Sequence, residues 1–152
     1  MSQPTSTLTR AFLAPPKLVF QAWTDPALLA QWFLPTGFTN ARCDVDLRPG
    51  GEFRVHMRAP DGQIYPTHGR YLAVTAPDSL QYVDTWDDDR EHNPPVRVTV
   101  AFEADNGDTR QVITSQFISE AHRDEVMAQG VADGWEMFFR NLDALLAKLV
   151  AT

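Results

Sequence analysis

The sequence is poor in the residues that would fix a compartment, a metal or a polyanionic partner. It holds one cysteine, Cys43. A lone thiol cannot close an internal disulfide, so no oxidising compartment is implied. The four histidines, His56, His68, His92 and His122, show no H-x-x-x-H spacing, and no cysteine pair accompanies them. No metal is therefore expected. No apolar run reaches about 18 residues, and the opening MSQPTSTLTR has no signal-peptide core, so a cytoplasmic protein without membrane insertion is expected. Basic residues are scarce: 13 Lys and Arg stand against 20 Asp and Glu, a net charge of −7. That balance argues against nucleic acid and anionic membrane as partners. Gly50-Gly51 is not followed by the G-x-x-x-x-G-K-S/T pattern or a helix, and reads as a turn or bulge. No G-x-S-x-G elbow exists. Neither a phosphate cradle nor any cofactor is expected.

What is present is the material of one globular domain, residues 1–152, with 43% hydrophobic residues. Its organising stretch is Ser119 to Leu149. Met127, Val131, Gly134, Trp135, Phe138, Leu142, Leu145, Leu146 and Leu149 recur at steps of three and four, which predicts one amphipathic helix roughly 40 Å long. Ser119 can cap it, and Glu136 can pair with Arg140 one turn on. Such an apolar stripe needs a cover.

The chain before it supplies one. Ser6 to Ala14 reads as a strand, stopped by Pro15-Pro16. Lys17 to Thr24 and a second segment capped by Asp25 read as two short helices. Six strands follow, at Thr39 to Leu47, Glu52 to Arg58, His68 to Thr75, Leu80 to Trp86, Val96 to Glu103 and Arg110 to Ile118. Turn signals separate them, the strongest being Asn106-Gly107. The fold class expected is α+β: a curved seven-stranded antiparallel sheet gripping a long C-terminal helix, with two short helices after the first strand. A straight helix cannot touch a curved sheet along its whole length, so a cavity open at one end is expected between them.

The succession Trp23-Thr24-Asp25-Pro26, Leu29, Trp32-Phe33-x-Pro35, Gly37, Gly50-Gly51-x-Phe53, Met57, Asp61-Gly62, Gly69-x-Tyr71, Pro77, Leu80, Trp86, Val98-Thr99-Val100-x-Phe102 and Gly134-Trp135 resembles the SRPBCC (START/Bet v 1-like) superfamily. More narrowly, it is similar to the branch named for the activator of the heat-shock protein 90 ATPase, homologue 1-like. The likeness runs from about Leu8 to Leu149. It implies a helix-grip fold with a deep ligand cavity, in a superfamily of hydrophobe carriers, polyketide cyclases and aromatase-like enzymes. The branch offers no common catalytic motif to carry over. The eukaryotic activator has an additional N-terminal domain for which 152 residues leave no room, so a chaperone role is not expected from the name.

Aromatic residues are the main functional clue. Within a helix-grip architecture, Trp135 and Phe138 from the helix and Met57, Tyr71 and Trp86 from the sheet are expected to line the cavity. His68, Arg70, Asp84 and Gln116 are candidates to orient a ligand within it. Alternation puts Leu80, Tyr82, Asp84 and Trp86 on one face, so Asp84 would be a carboxyl in or near the cavity unless a bulge shifts the register. The acidic run Asp87-Asp88-Asp89 reads as a solvated loop. Gly134 would reflect either close approach of helix to sheet or room for a ligand.

Three functions follow. The first is binding of a small hydrophobic or aromatic molecule without catalysis. The second is a cofactor-free enzyme of polyketide cyclase/aromatase or small-hydrolase type, with Asp84 or His68 as acid/base and Tyr71 or Arg70 polarising the substrate. The third is a co-chaperone-like surface for a protein partner. An edge strand could also pair across a homodimer.

Overall fold

The structure, a computed structural model, describes residues 4–85 and 95–151. The elements run β1 (Thr5–Phe12), α1 (Pro16–Thr24), α2 (Pro26–Trp32), β2 (Thr39–Val45), β3 (Glu52–Arg58), β4 (Ile64–Thr75), β5 (Ser79–Thr85), β6 (Val96–Asp105), β7 (Asp108–Gln116), α3 (Glu120–Ala128) and α4 (Val131–Val150). The strands form one antiparallel sheet in the order β1-β7-β6-β5-β4-β3-β2. Strands β2 to β7 are thus a plain meander, and β1 closes its far side against β7. The architecture is the α+β helix-grip arrangement expected from the sequence.

Local chemistry accounts for the elements. Pro16 and Pro26 each occupy the first turn of a short helix, where a missing N–H costs nothing. The Asp25 carboxylate accepts the Ala27 N–H at 2.9 Å. Asn106 and Gly107 both take positive φ, 52° and 89°, as a two-residue hairpin turn between β6 and β7 requires. Register shifts at Asn40/Arg42 and Tyr71/Ala73 bend β2 and β4.

The one long helix expected at the C-terminus is two. Gly130 takes a left-handed φ of 85° between α3 and α4, and the Ser119 hydroxyl caps only the first, accepting the His122 N–H at 3.0 Å. The apolar stripe runs straight through the break at three-and-four spacing, so periodicity alone could not show it. A glycine is the common terminator of a helix, and Gly130 was the available signal. α3 buries none of its residues, whereas α4 buries Phe139, Leu142, Leu145 and Leu146. Packing therefore resides in α4.

Residues directly opposite each other in a ladder share a face. The concave face so defined carries Phe53, Val55 and Met57 of β3, Thr67, Gly69 and Tyr71 of β4, Leu80, Tyr82 and Asp84 of β5, and Val98, Val100 and Phe102 of β6. Rings fill the trough. Trp32 is fully buried, with centroids 4.9 Å from Trp23, 5.4 Å from Phe33 and 6.3 Å from Phe139. Its indole N–H donates to the Ala22 carbonyl at 2.9 Å, which locks α2 to α1. The Trp23 indole donates to the Oε1 of buried Gln111 at 2.8 Å.

α4 is also pinned by charge. Arg10, inward on β1, donates to Glu136 at 2.9 Å and Asp143 at 2.6 Å, and lies 4.9 Å from the Phe12 ring centroid. Glu136 keeps the expected Arg140 pairing at a looser 3.6 Å. Arg10 holds the Glu136 carboxyl below its ordinary range. None of the described helices is long and apolar enough to cross a membrane.

Candidate functional site

The trough is not hollow throughout. Its inner part, between Trp23, Leu29, Phe33, Phe53, Tyr71, Leu80 and Tyr82, retains a cavity of only about 10 Å³, room for roughly one water. The deep cavity implied by the family resemblance is filled there by aromatic side chains. Space remains where α4 begins. A cleft of about 210 Å³ opens between the first turns of α4 and the sheet, lined by Phe33, Met57, Thr67, Asp84, Val131, Gly134, Trp135 and Phe138.

Each wall has a local cause. Val131, Gly134, Trp135 and Phe138 lie three or four residues apart, so they share one stripe of α4. Met57, Thr67 and Asp84 come from three adjacent strands on the concave face. Phe33 reaches in from the end of α2. A Cβ placed on Gly134 would meet nothing within 4 Å. This glycine therefore does not serve a close approach of helix to sheet; it leaves the cleft open. Gly69 is the opposite case: a Cβ there would sit 2.5 Å from the Phe53 ring.

Phe33, Trp135 and Phe138 form a corner. Their centroids are 4.8 to 6.1 Å apart and their planes meet at 60°, 63° and 80°. Behind them Trp135 stacks on Phe139 at 5.4 Å and 15°. Asp84 is half-buried beside this corner, and burial pushes its carboxyl up to about 7. No hydrogen bond joins it to another described residue. β5 runs in regular register from Leu80 to Asp84, so the bulge that would have turned Asp84 outward does not occur there.

With this geometry in hand, the comparisons with known proteins decide the family. The family described as Activator of Hsp90 ATPase homolog 1-like protein matches residues 13–147. The chain belongs to it. No curated protein matches the sequence. Among solved structures, protein NE0264 from Nitrosomonas europaea is 29% identical over 97% of each chain, with a TM-score of 0.85. A protein from Rhodobacter sphaeroides is 27% identical over 95% of this chain and 93% of its own, with a TM-score of 0.87. Protein Ms6760 from Mycobacterium smegmatis is 29% identical over 93% and 90%, with a TM-score of 0.82.

In this Hsp90-activator-like domain, the expected site residues separate by face. Met57, Asp84, Trp135 and Phe138 meet at the cleft. Tyr71 is concave but buried in the inner packing, where desolvation pushes its hydroxyl upward. His68, Arg70 and Gln116 do not join them. His68 opposes Arg54, Arg70 opposes Glu52 and Gln116 opposes Arg97, all on the convex face. Strand parity is the reason: residues an odd number of positions from Tyr71 or Ser115 must point the other way. Trp86, Asp87-Asp88-Asp89 and His92 lie outside the described residues. Cys43 is half-buried, and burial pushes its thiol up to about 11, so it is a protonated small side chain at neutral pH. Among the described residues no group of three His, Cys, Asp or Glu side chains could hold a metal.

Phe33, Thr67 and Val131 complete the cleft beyond the residues proposed from sequence, and Gly134 joins them as one of the two explanations offered for it had it. Thr67 was hidden because β4 begins at Ile64, not His68. Counting back from Tyr71 by twos would have reached it.

The Asp84 shift has a measurable consequence. A carboxyl raised from its ordinary value of 3.8 to about 7 is protonated in the folded protein while already ionised in the unfolded chain. Asp84 by itself therefore leaves folding stability undiminished below pH 4, lowers it as pH rises towards 7, and adds no further change above that. Asp84→Asn removes that loss. The variant should match the wild type at pH 4 and exceed it at pH 8 by the order of 1–3 kcal/mol in urea unfolding.

Proposed function

We propose that the protein binds a small hydrophobic or aromatic molecule in the cleft between the sheet and the start of α4, without catalysis and in the cytoplasm. The observation that carries this reading is the cleft itself: about 210 Å³ of open space with an almost wholly apolar lining. An apolar cavity of about 150 Å³ can hold benzene, so the cleft suits a molecule of one or two rings. The packed inner trough supports the same limit on size. Membership of a fold family that commonly accommodates hydrophobes is consistent with it.

Catalysis has less support. Asp84 has no hydrogen-bonded acid–base partner among the described residues. Of the other groups named for such chemistry, the alternative acid/base His68 and the polarising Arg70 face the opposite side of the sheet, and Tyr71 shares the concave face but is buried in the inner packing. General acid–base work needs such groups to converge on one reacting atom.

The test is a panel of one- and two-ring aromatic compounds titrated into the wild type and followed by amide chemical shifts. Shifts should concentrate on Gly134, Trp135, Phe138 and Thr67. Trp135→Ala should weaken binding at least about tenfold, since it removes one wall of the corner, and leave the circular dichroism spectrum unchanged. Unchanged affinity in that variant would remove Trp135 from the site. Native mass spectrometry of protein from its own host's lysate would name the physiological ligand.

A further inference from the structure

The cleft carries one ionisable group among its described lining residues, and that group has no counter-charge there. Asp84 is flanked in the sheet by Gly69 on β4 and Val96 on β6. Across the cleft stand Val131, Gly134, Trp135 and Phe138 of α4, with Phe33, Met57 and Thr67 completing the wall. None of these titrates. A carboxyl so placed is held against its own ionisation by desolvation, and nothing among the described residues rewards keeping it. A carboxamide or a leucine would serve an apolar cleft better.

Two features together supply a use for it. A carboxylate attracts a cation, and the rings beside it do the same, because the face of an aromatic ring is its negative side. The rings are not parallel plates for a flat molecule. At 60° to 80° to one another and with centroids 4.8 to 6.1 Å apart they pack on each other, so a rounded group such as an alkylated nitrogen would rest against the cleft side of this corner, not between its rings. An anion would meet Asp84 with no described basic residue in the cleft to offset it.

We propose that the cleft selects an organic cation, an alkylated or quaternary ammonium group on a small apolar body, held between Asp84 and the corner of Phe33, Trp135 and Phe138. This rests on the reading of the cleft as a ligand site and specifies the charge of what enters it.

A pair of probes isolates that charge. Phenyltrimethylammonium and tert-butylbenzene have the same shape and differ in a nitrogen for a carbon and one positive charge. Wild-type protein should bind the cation about tenfold or more tightly than the hydrocarbon, and Asp84→Asn should erase the preference. A second readout needs no variant. At pH 6 the cation should expel up to one proton from Asp84, seen as a dependence of the binding heat on buffer ionisation heat, and the hydrocarbon should expel none.

Equal binding of the two probes, tighter binding of the hydrocarbon, or a preference that survives Asp84→Asn with no proton release would overturn the proposal. In the first two cases the cleft remains a site for neutral hydrophobes. Binding of neither probe overturns the proposal too, and the aromatic panel then decides separately whether the cleft is a ligand site.

Discussion

Gly134→Leu should abolish ligand binding while making the protein slightly more stable. A gain in stability at the expense of function is the trade-off expected at a position kept open for a ligand. Glycine inside a helix costs about 0.8–1 kcal/mol relative to Ala, and leucine is nearly as good a helix former as Ala. At most positions on the buried stripe of α4 that gain would be cancelled by collision. Here a new Cβ meets nothing within 4 Å, so the side chain grows into about 210 Å³ of open cleft rather than into the core. A leucine would occupy much of the volume a one-ring ligand needs and cover apolar surface on Trp135 and Phe138. The expected result is an affinity loss of about a hundredfold or more for any compound found to bind. The urea midpoint should rise by an amount corresponding to about 0.5–1 kcal/mol. Retained affinity would mean that ligands bind elsewhere. Lost stability would mean that α4 sits closer to the sheet than the structure has it.

Trp32→Ala should have the largest effect on the fold. Truncating a fully buried aromatic residue typically costs about 3–5 kcal/mol, against a total stability of about 5–15 kcal/mol for a domain. Trp32 is at the severe end for three reasons. It is completely buried, it touches Trp23, Phe33 and Phe139 at once, and it satisfies the Ala22 carbonyl. Its loss leaves both a void and an orphaned backbone acceptor at the joint of α1 and α2. Chemical denaturation should show a midpoint lowered by at least 1 M urea, at a typical slope of about 1–3 kcal/mol per molar. A change below about 1 kcal/mol would show that the joint repacks and that Trp32 is not its centre. The contrast with Trp135 is instructive. Both are tryptophans in the same aromatic cluster, yet one anchors the joint between two helices and the other is half-buried at the cleft.

The fold was legible because its signals were local and repeated. Proline at helix starts, Asp25 as a cap, Asn106-Gly107 at a hairpin and clean alternation in β3 each dictate a piece of backbone, and the pieces agree. The site was legible only where parity was followed. Asp84 was placed correctly by alternation from Leu80. His68 and Arg70 were grouped with Tyr71, although residues an odd number of positions apart in a strand cannot share a face. Thr67 was missed because the strand was begun at His68, one residue too late to include it. In the fold Pro66 opposes His56 and lies beyond the last described β4–β5 pair, His68 with Thr85, where its missing N–H breaks no described pairing with β5. The depth of the cavity was not legible at all. It depends on how far the rings of Phe53, Tyr71, Tyr82 and Trp23 reach across the trough, a sum of side-chain volumes that no spacing rule contains.

That filled floor has a consequence for how cargo could come and go. The Phe53 ring centroid lies 5.5 Å from that of Tyr71 and 5.1 Å from that of Tyr82. A barrel that relies on its guest as a keystone must reorganise each time the guest departs. Here the masonry is complete beneath the vestibule, so a guest bound as proposed would not be needed as a keystone and could leave without the floor beneath it coming apart.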